Sequence, residues 1–127
     1  MVRKVAPRPT ERELAILGVL WERGPSTVRQ VNEAMGAGQR VGYTTTLKLM
    51  QIMAEKGLLL RDESARTHIY RAAIGEEQTQ RQLVGDMLEK VFAGSAEKLV
   101  IRALDAGKVG AKELAKIREI LDKAENK

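Results

Sequence analysis

Apolar residues first recur at helical spacing. Leu14, Leu17, Leu20 and Trp21 repeat at intervals that place them on one face of a helix. Thr10, three residues ahead of Glu13, has the spacing of a capping box, and Gly24-Pro25 stops the run. Ile16 and Val19 fall on the other side, so this helix is apolar on more than one face and is expected to meet two neighbours. A second cap signal, Thr27 with Gln30, opens a short helix through about Met35, with Val28, Val31 and Ala34 or Met35 turned inward. Residues 36–40 then read as a loop.

A third helix is predicted from about Tyr43 to Lys56, stopped by Gly57. Turning 100° per residue gathers Thr46, Leu49, Met50 and Met53 into a core stripe and sets Thr44, Lys48, Gln51 and Glu55 opposite. Thr45, Leu47 and Ile52 lie on the flanks. The period then shortens: Leu58-Leu59-Leu60-Arg61 and His68-Ile69-Tyr70-Arg71 have strand length, and Asp62-Glu63-Ser64-Ala65-Arg66 between them has turn composition. Three helices closed by a hairpin make a winged helix-turn-helix, whose third helix is the one able to enter a major groove.

From Gly75 the helical period returns. Leu83, Val84, Met87, Leu88, Val91 and Phe92 form a stripe up to Gly94; Ser95 caps a helix carrying Leu99, Val100, Ala103 and Leu104; a last helix after Gly110 carries Leu114, Ile117, Ile120 and Leu121. Three short amphipathic helices in 53 residues cannot bury that surface alone, and pairing with a second copy is the economical solution. The expected dimerisation set is Leu83, Met87, Leu88, Val91, Phe92, Leu99, Val100, Ala103, Leu114, Ile117 and Leu121. The predicted architecture is mainly α (α+β), with a winged helix-turn-helix domain over 1–74 and a helical dimerisation tail over 75–127.

Charge sharpens this division. Residues 1–74 hold twelve Lys and Arg against seven Asp and Glu, which is the whole net charge of +5, while residues 75–127 hold ten of each. A basic module beside a neutral helical one suits a nucleic-acid binder with a separate assembly element. With no cysteine, one histidine, no glycine-rich phosphate loop and no metal-ligand spacing, neither an enzyme, a metal site nor a cofactor is expected. The N-terminal residues to Pro9 lead into no apolar run, and nowhere do about 18 apolar residues run together, so the expectation is a cytoplasmic chain without membrane insertion.

The expected partner is double-stranded DNA. Arg40, Lys48, Arg61, Arg66 and Arg71 surround the reading helix and wing as candidate phosphate contacts, and His68 and Tyr70 can donate to phosphate as well. Base readout falls to Thr44, Thr45 and Lys48, with Gln51 able to pair with adenine. Tyr43 either touches DNA or packs against the preceding loop. Thr44 and Thr45 also suit a helix start, and Arg66 suits an edge-protecting charge. Trp21, Met35, Met50 and Met53 are expected in the core. Because fold alone does not determine function, a winged-helix protein-interaction module without DNA binding remains the alternative.

Pro9-Thr10-Glu11 with Leu14 and Leu17, Val19-Leu20-Trp21, Tyr43-Thr44-Thr45, Glu55-Lys56-Gly57-Leu58, and the closing Leu114, Ile117-Arg118 and Ile120-Leu121 together resemble the penicillinase-repressor (BlaI/MecI/CopY) family of bacterial regulators. The resemblance spans nearly the whole chain and implies a homodimer that binds a palindromic operator and represses a neighbouring gene. It also implies, for the beta-lactam-responsive branch, release by proteolysis at an Asn-Phe bond and a membrane metalloprotease sensor as partner. The chain departs from that pattern in three ways. It lacks the C-terminal cysteine pairs of copper-responsive members; Arg102-Ala103 stands where the Asn-Phe bond is expected; and the reading helix carries Ile52 at a commonly basic position and Thr46 at one commonly Val or Ile, so a different operator sequence is expected.

Overall fold

Elements follow in the order α1 (Glu11–Arg23), α2 (Val28–Ala34), α3 (Tyr43–Lys56), β1 (Leu59–Asp62), β2 (Ile69–Ala72), α4 (Glu76–Lys90), α5 (Ala96–Ala106) and α6 (Ala111–Glu125). The computed structural model describes residues 8–36, 38 and 40–127. Residues 1–7, and Ala37 and Gln39 of the predicted loop, lie outside the described residues. The chain divides into two units between Arg81 and Gln82, within α4, whereas the sequence pattern changes at 74/75, ahead of that helix.

Both predicted capping boxes form. The Thr10 hydroxyl accepts from the Glu13 backbone N–H at 3.3 Å, while the Glu13 carboxylate accepts from the Thr10 N–H at 2.9 Å. Thr27 and Gln30 do the same at 3.1 and 2.9 Å. Each box satisfies two backbone donors that a helix start leaves without partners. Helix α2 ends at Ala34; Met35 leaves helical conformation at ψ 137° and still buries its side chain.

Helix α3 ends in a Schellman motif. Gly57 takes the left-handed conformation at φ 85°, its N–H bonds the Ala54 carbonyl, and the Leu58 N–H reaches back to Met53 at 2.9 Å. A side chain is strained at that φ, whereas glycine adopts it at no steric cost. The reversal buries Leu58 and feeds β1, which pairs antiparallel with β2 in the register Leu59↔Ala72, Leu60↔Arg71, Arg61↔Tyr70 and Asp62↔Ile69.

One pairing is not legible in the apolar pattern. After Gly24-Pro25 the chain is extended, and Ser26 exchanges both backbone hydrogen bonds with Tyr70, at 2.9 and 2.8 Å. The hairpin is thereby stitched to the segment joining α1 to α2. Trp21 adds a second stitch, donating its indole N–H to the Ile74 carbonyl at 3.0 Å.

The first unit's core is built from Ile16, Leu17 and Leu20 of α1, Val28 and Val31 of α2, Met35, Met50 and Met53 of α3, Leu58, Leu59 and Tyr70. Thr46 lies fully inside it, and Leu49 packs at its edge. Glu13 is the one acidic side chain among the described buried residues, and its carboxylate meets the Lys56 ammonium at 2.8 Å. The second unit is different in kind. From Gln82 to Lys127 no residue is buried, although Val91 is 68% exposed, Ile120 64% and Leu121 54%. Ser95 caps α5 by accepting from the Lys98 N–H, as its position predicts.

Candidate nucleic-acid interface

The reading face begins with how α3 is held. Asn32 of α2 donates one amide hydrogen to the Val41 carbonyl and the other to the Thr46 hydroxyl, both at 2.8 Å. Val41 stands just before α3 and Thr46 in its first turn, so a single side chain locks the turn between the two helices. At the far end of α3, Lys56 is tied to Glu13 of α1. Burial raises the Glu13 pKa, but the Lys56 ammonium and the Thr10 N–H outweigh it and hold the carboxyl below its ordinary value. Both ends of the helix are therefore anchored through polar pairs.

Helix α3 turns Thr46, Met50 and Met53 into the core and leaves Thr44, Thr45, Lys48 and Gln51 exposed. Thr46 therefore cannot read bases. Its departure from the commoner Val or Ile is answered by Asn32 within the protein, and the operator difference expected from this position has no structural basis. Ile52 is half-buried on the helix flank.

The remaining candidates fall on two sides of the hairpin. Tyr43, Gln51, Arg66 and His68 come together in a groove of about 430 Å³ between α2, α3 and the wing, with Thr27, Val28, Arg29, Leu47, Thr67 and Tyr70 completing its walls. Arg61 and Arg71 line a separate hollow with Pro25, Leu60, Asp62 and Ile69. Arg61 lies opposite Tyr70 in the hairpin register and stands 3.7 Å from the Glu63 carboxylate; Tyr70 and Glu63 together raise its pKa. The Ser64 side chain and the Ser64 N–H, from which Asp62 accepts at 2.9 Å, lower the Asp62 pKa, with a smaller contribution from the nearby Arg71 guanidinium. Arg40 is exposed just before α3, outside both hollows.

Arg29 was not among the sequence candidates. Its guanidinium carbon lies 5.1 Å from the centroid of the Tyr43 ring, which joins α2 to the start of α3 across the groove. The signal available in the sequence was a basic residue in the first turn of the first helix of a helix-turn-helix, the helix that crosses the DNA backbone in this class.

Three helices, an anchored third helix with an exposed polar face, and a hairpin beside it define a winged helix-turn-helix protein. The chain matches the penicillinase-repressor family over residues 9–123 and belongs to it. It is 33% identical over 115 residues, 89% of this chain and 82% of the relative, to the transcriptional regulator BlaI of Mycobacterium tuberculosis, in strains CDC 1551 / Oshkosh and ATCC 25618 / H37Rv alike. It is also 18% identical over 124 residues, 98% of this chain and 97% of the relative, to the penicillinase repressor of Bacillus licheniformis. Membership places the chain among DNA-binding transcriptional repressors. No helix among the described residues is long and apolar enough to cross a membrane.

Proposed function

We propose that this protein represses transcription by binding a pseudo-palindromic operator as a homodimer, with α3 of each copy in the major groove. The observation that carries the reading is the polar face Thr44, Thr45 and Lys48 set against a fully buried stripe on one doubly anchored helix. A helix so held presents fixed donors to base edges, which direct readout requires. Lys48 is the candidate for guanine and Gln51, at the groove side, for adenine. Arg40, Arg66 and Arg71 are proposed phosphate contacts; Arg61, engaged with Tyr70 and Glu63, is the weaker one.

The dimer rests on the second unit. Helices α4, α5 and α6 leave Met87, Val100, Leu104 and Leu121 at least 40% exposed, as is Val91 just past α4, and these apolar faces are what a partner tail would cover. A two-fold pair then reads two half-sites spaced by whole turns of DNA.

Release is part of the proposal. The Arg102–Ala103 bond lies within α5, where Arg102 pairs with Asp105 at 3.0 Å, so a protease must first open that helix. With arginine before alanine in place of Asn-Phe, a membrane metalloprotease partner must differ in specificity, or release proceeds without this cut. The test of the reading is anisotropy titration of labelled operator and random duplexes at two salt concentrations. A preference for operator that survives the higher salt supports it. Equal, salt-abolished binding to both, or none to either, contradicts it.

A further inference from the structure

The groove between α2, α3 and the wing carries charge from two walls. Arg66 stands on the wing side and Arg29 on the α2 side, and His68 of the wing lines the same groove. Among the described residues no carboxylate forms an ion pair with Arg29, unlike Arg61, which is drawn toward Glu63. What Arg29 has is the face of the Tyr43 ring. The ring attracts the cation without carrying a negative charge that would neutralise it, so the Arg29 guanidinium keeps its full charge for an anion while its contact with Tyr43 limits where the side chain swings. Tyr43 is the first residue of α3, so the cation is held at the end of the reading helix where readout is proposed.

We propose that Arg29 binds one phosphate of the duplex backbone from the α2 side of this groove, opposite Arg66, and that Tyr43 is its positioning residue. The inference rests on the DNA-binding reading above and deepens it. The phosphate sets the register of α3 along the groove and carries no sequence information of its own. Tyr43 acts through its ring, and its hydroxyl has no part in the contact.

The test uses the full chain with labelled operator and random duplexes over a salt series. Arg29→Ala should lose about tenfold on both duplexes alike, as loss of a charge-assisted hydrogen bond implies. Its log–log salt slope should fall by about 0.9, the value for one phosphate. Arg29→Lys should keep the slope. Tyr43→Phe should bind as the wild type does, whereas Tyr43→Leu should lose about two- to fivefold. The double variant Arg29→Ala/Tyr43→Leu should be no weaker than Arg29→Ala alone.

An unchanged slope in Arg29→Ala overturns the phosphate contact. Loss in Tyr43→Phe equal to that in Tyr43→Leu, or additive losses in the double variant, overturns the positioning role. Inorganic phosphate that raises the melting temperature of duplex-free wild type but not of Arg29→Ala, while the salt slope for duplex is the same in both, would assign the site to a free anion, against this proposal. Wild-type protein that binds no duplex overturns the DNA-binding reading together with this inference. Wild-type binding with an indifferent Arg29→Ala overturns the inference alone.

Discussion

Replacing Lys56 with Met should destabilise the first unit in a manner that depends on pH. The apolar stem is retained, but the buried Glu13 carboxylate, 3% exposed in its side chain, loses the ammonium at 2.8 Å. Removing one partner of a fully buried pair costs about 3–5 kcal/mol. The Lys56 side chain is 37% exposed, so water screens the pair and replaces part of the loss; about 1–2 kcal/mol at pH 7 is expected. The sign with pH follows from Glu13. Its folded pKa lies below the ordinary 4.5, so the pair's stabilisation is present above 4.5 and lost as pH falls through the lower folded value. Without Lys56 the opposing effect of burial gains ground, the carboxyl titrates higher, and protonation relieves the unpaired charge. The deficit of Lys56→Met relative to wild type should therefore shrink as pH falls below 4.5, and be smaller at pH 3.5 than at pH 7. Urea unfolding followed by circular dichroism at both pH values measures it, at one protein concentration because dimerisation feeds into stability. An equal deficit at pH 7 and pH 3.5 would refute the electrostatic reasoning and reduce Lys56 to a packing role.

Thr46→Val should lower thermal stability by about 1 kcal/mol or less, since Asn32 loses one acceptor while a methyl is buried, and should leave operator preference unchanged; a changed preferred sequence in a binding selection would return Thr46 to the readout set. Thr45→Ala or Lys48→Ala should cost about 1–3 kcal/mol on operator and less on random duplex, read by anisotropy; equal losses on both would deny these residues a reading role. Val91→Asp should give folded monomers in sedimentation with sharply weaker operator binding, because Val91 is 68% exposed within the chain and its charge should disturb only an assembly. A wild type already monomeric at micromolar concentration would contradict the dimer.

What could be read from the sequence was what depends on neighbours along the chain. Both capping boxes, the glycine stop at Gly57 and the core stripe of α3 rest on spacings of three and four residues, and each stands where the pattern puts it. The strands are displaced by one residue: the Schellman turn takes the Leu58 N–H, the Leu58 carbonyl accepts from the Ala73 N–H across the hairpin, and paired register begins at Leu59↔Ala72. Features that depend on folded proximity were not readable. Ser26 pairs with Tyr70 across 44 positions, Lys56 with Glu13 across 43, and Asn32 finds Thr46 only because two helices cross. The same reason hid Arg29, whose surroundings become basic and aromatic only when the wing closes over α2 and α3. The candidates Arg71, next to the groove-lining Tyr70 in β2, and Arg61, the partner of Tyr70 across the hairpin, line a second hollow instead.

The most direct test of the central claim is a hydroxyl-radical footprint of the full-length protein on duplexes that it selects from a random pool. A homodimeric repressor should select a pseudo-palindrome, protect two half-sites with centres a whole number of helical turns apart, and place two protein chains on each duplex. Selection of no common sequence, or protection of one half-site by a single chain, would contradict it.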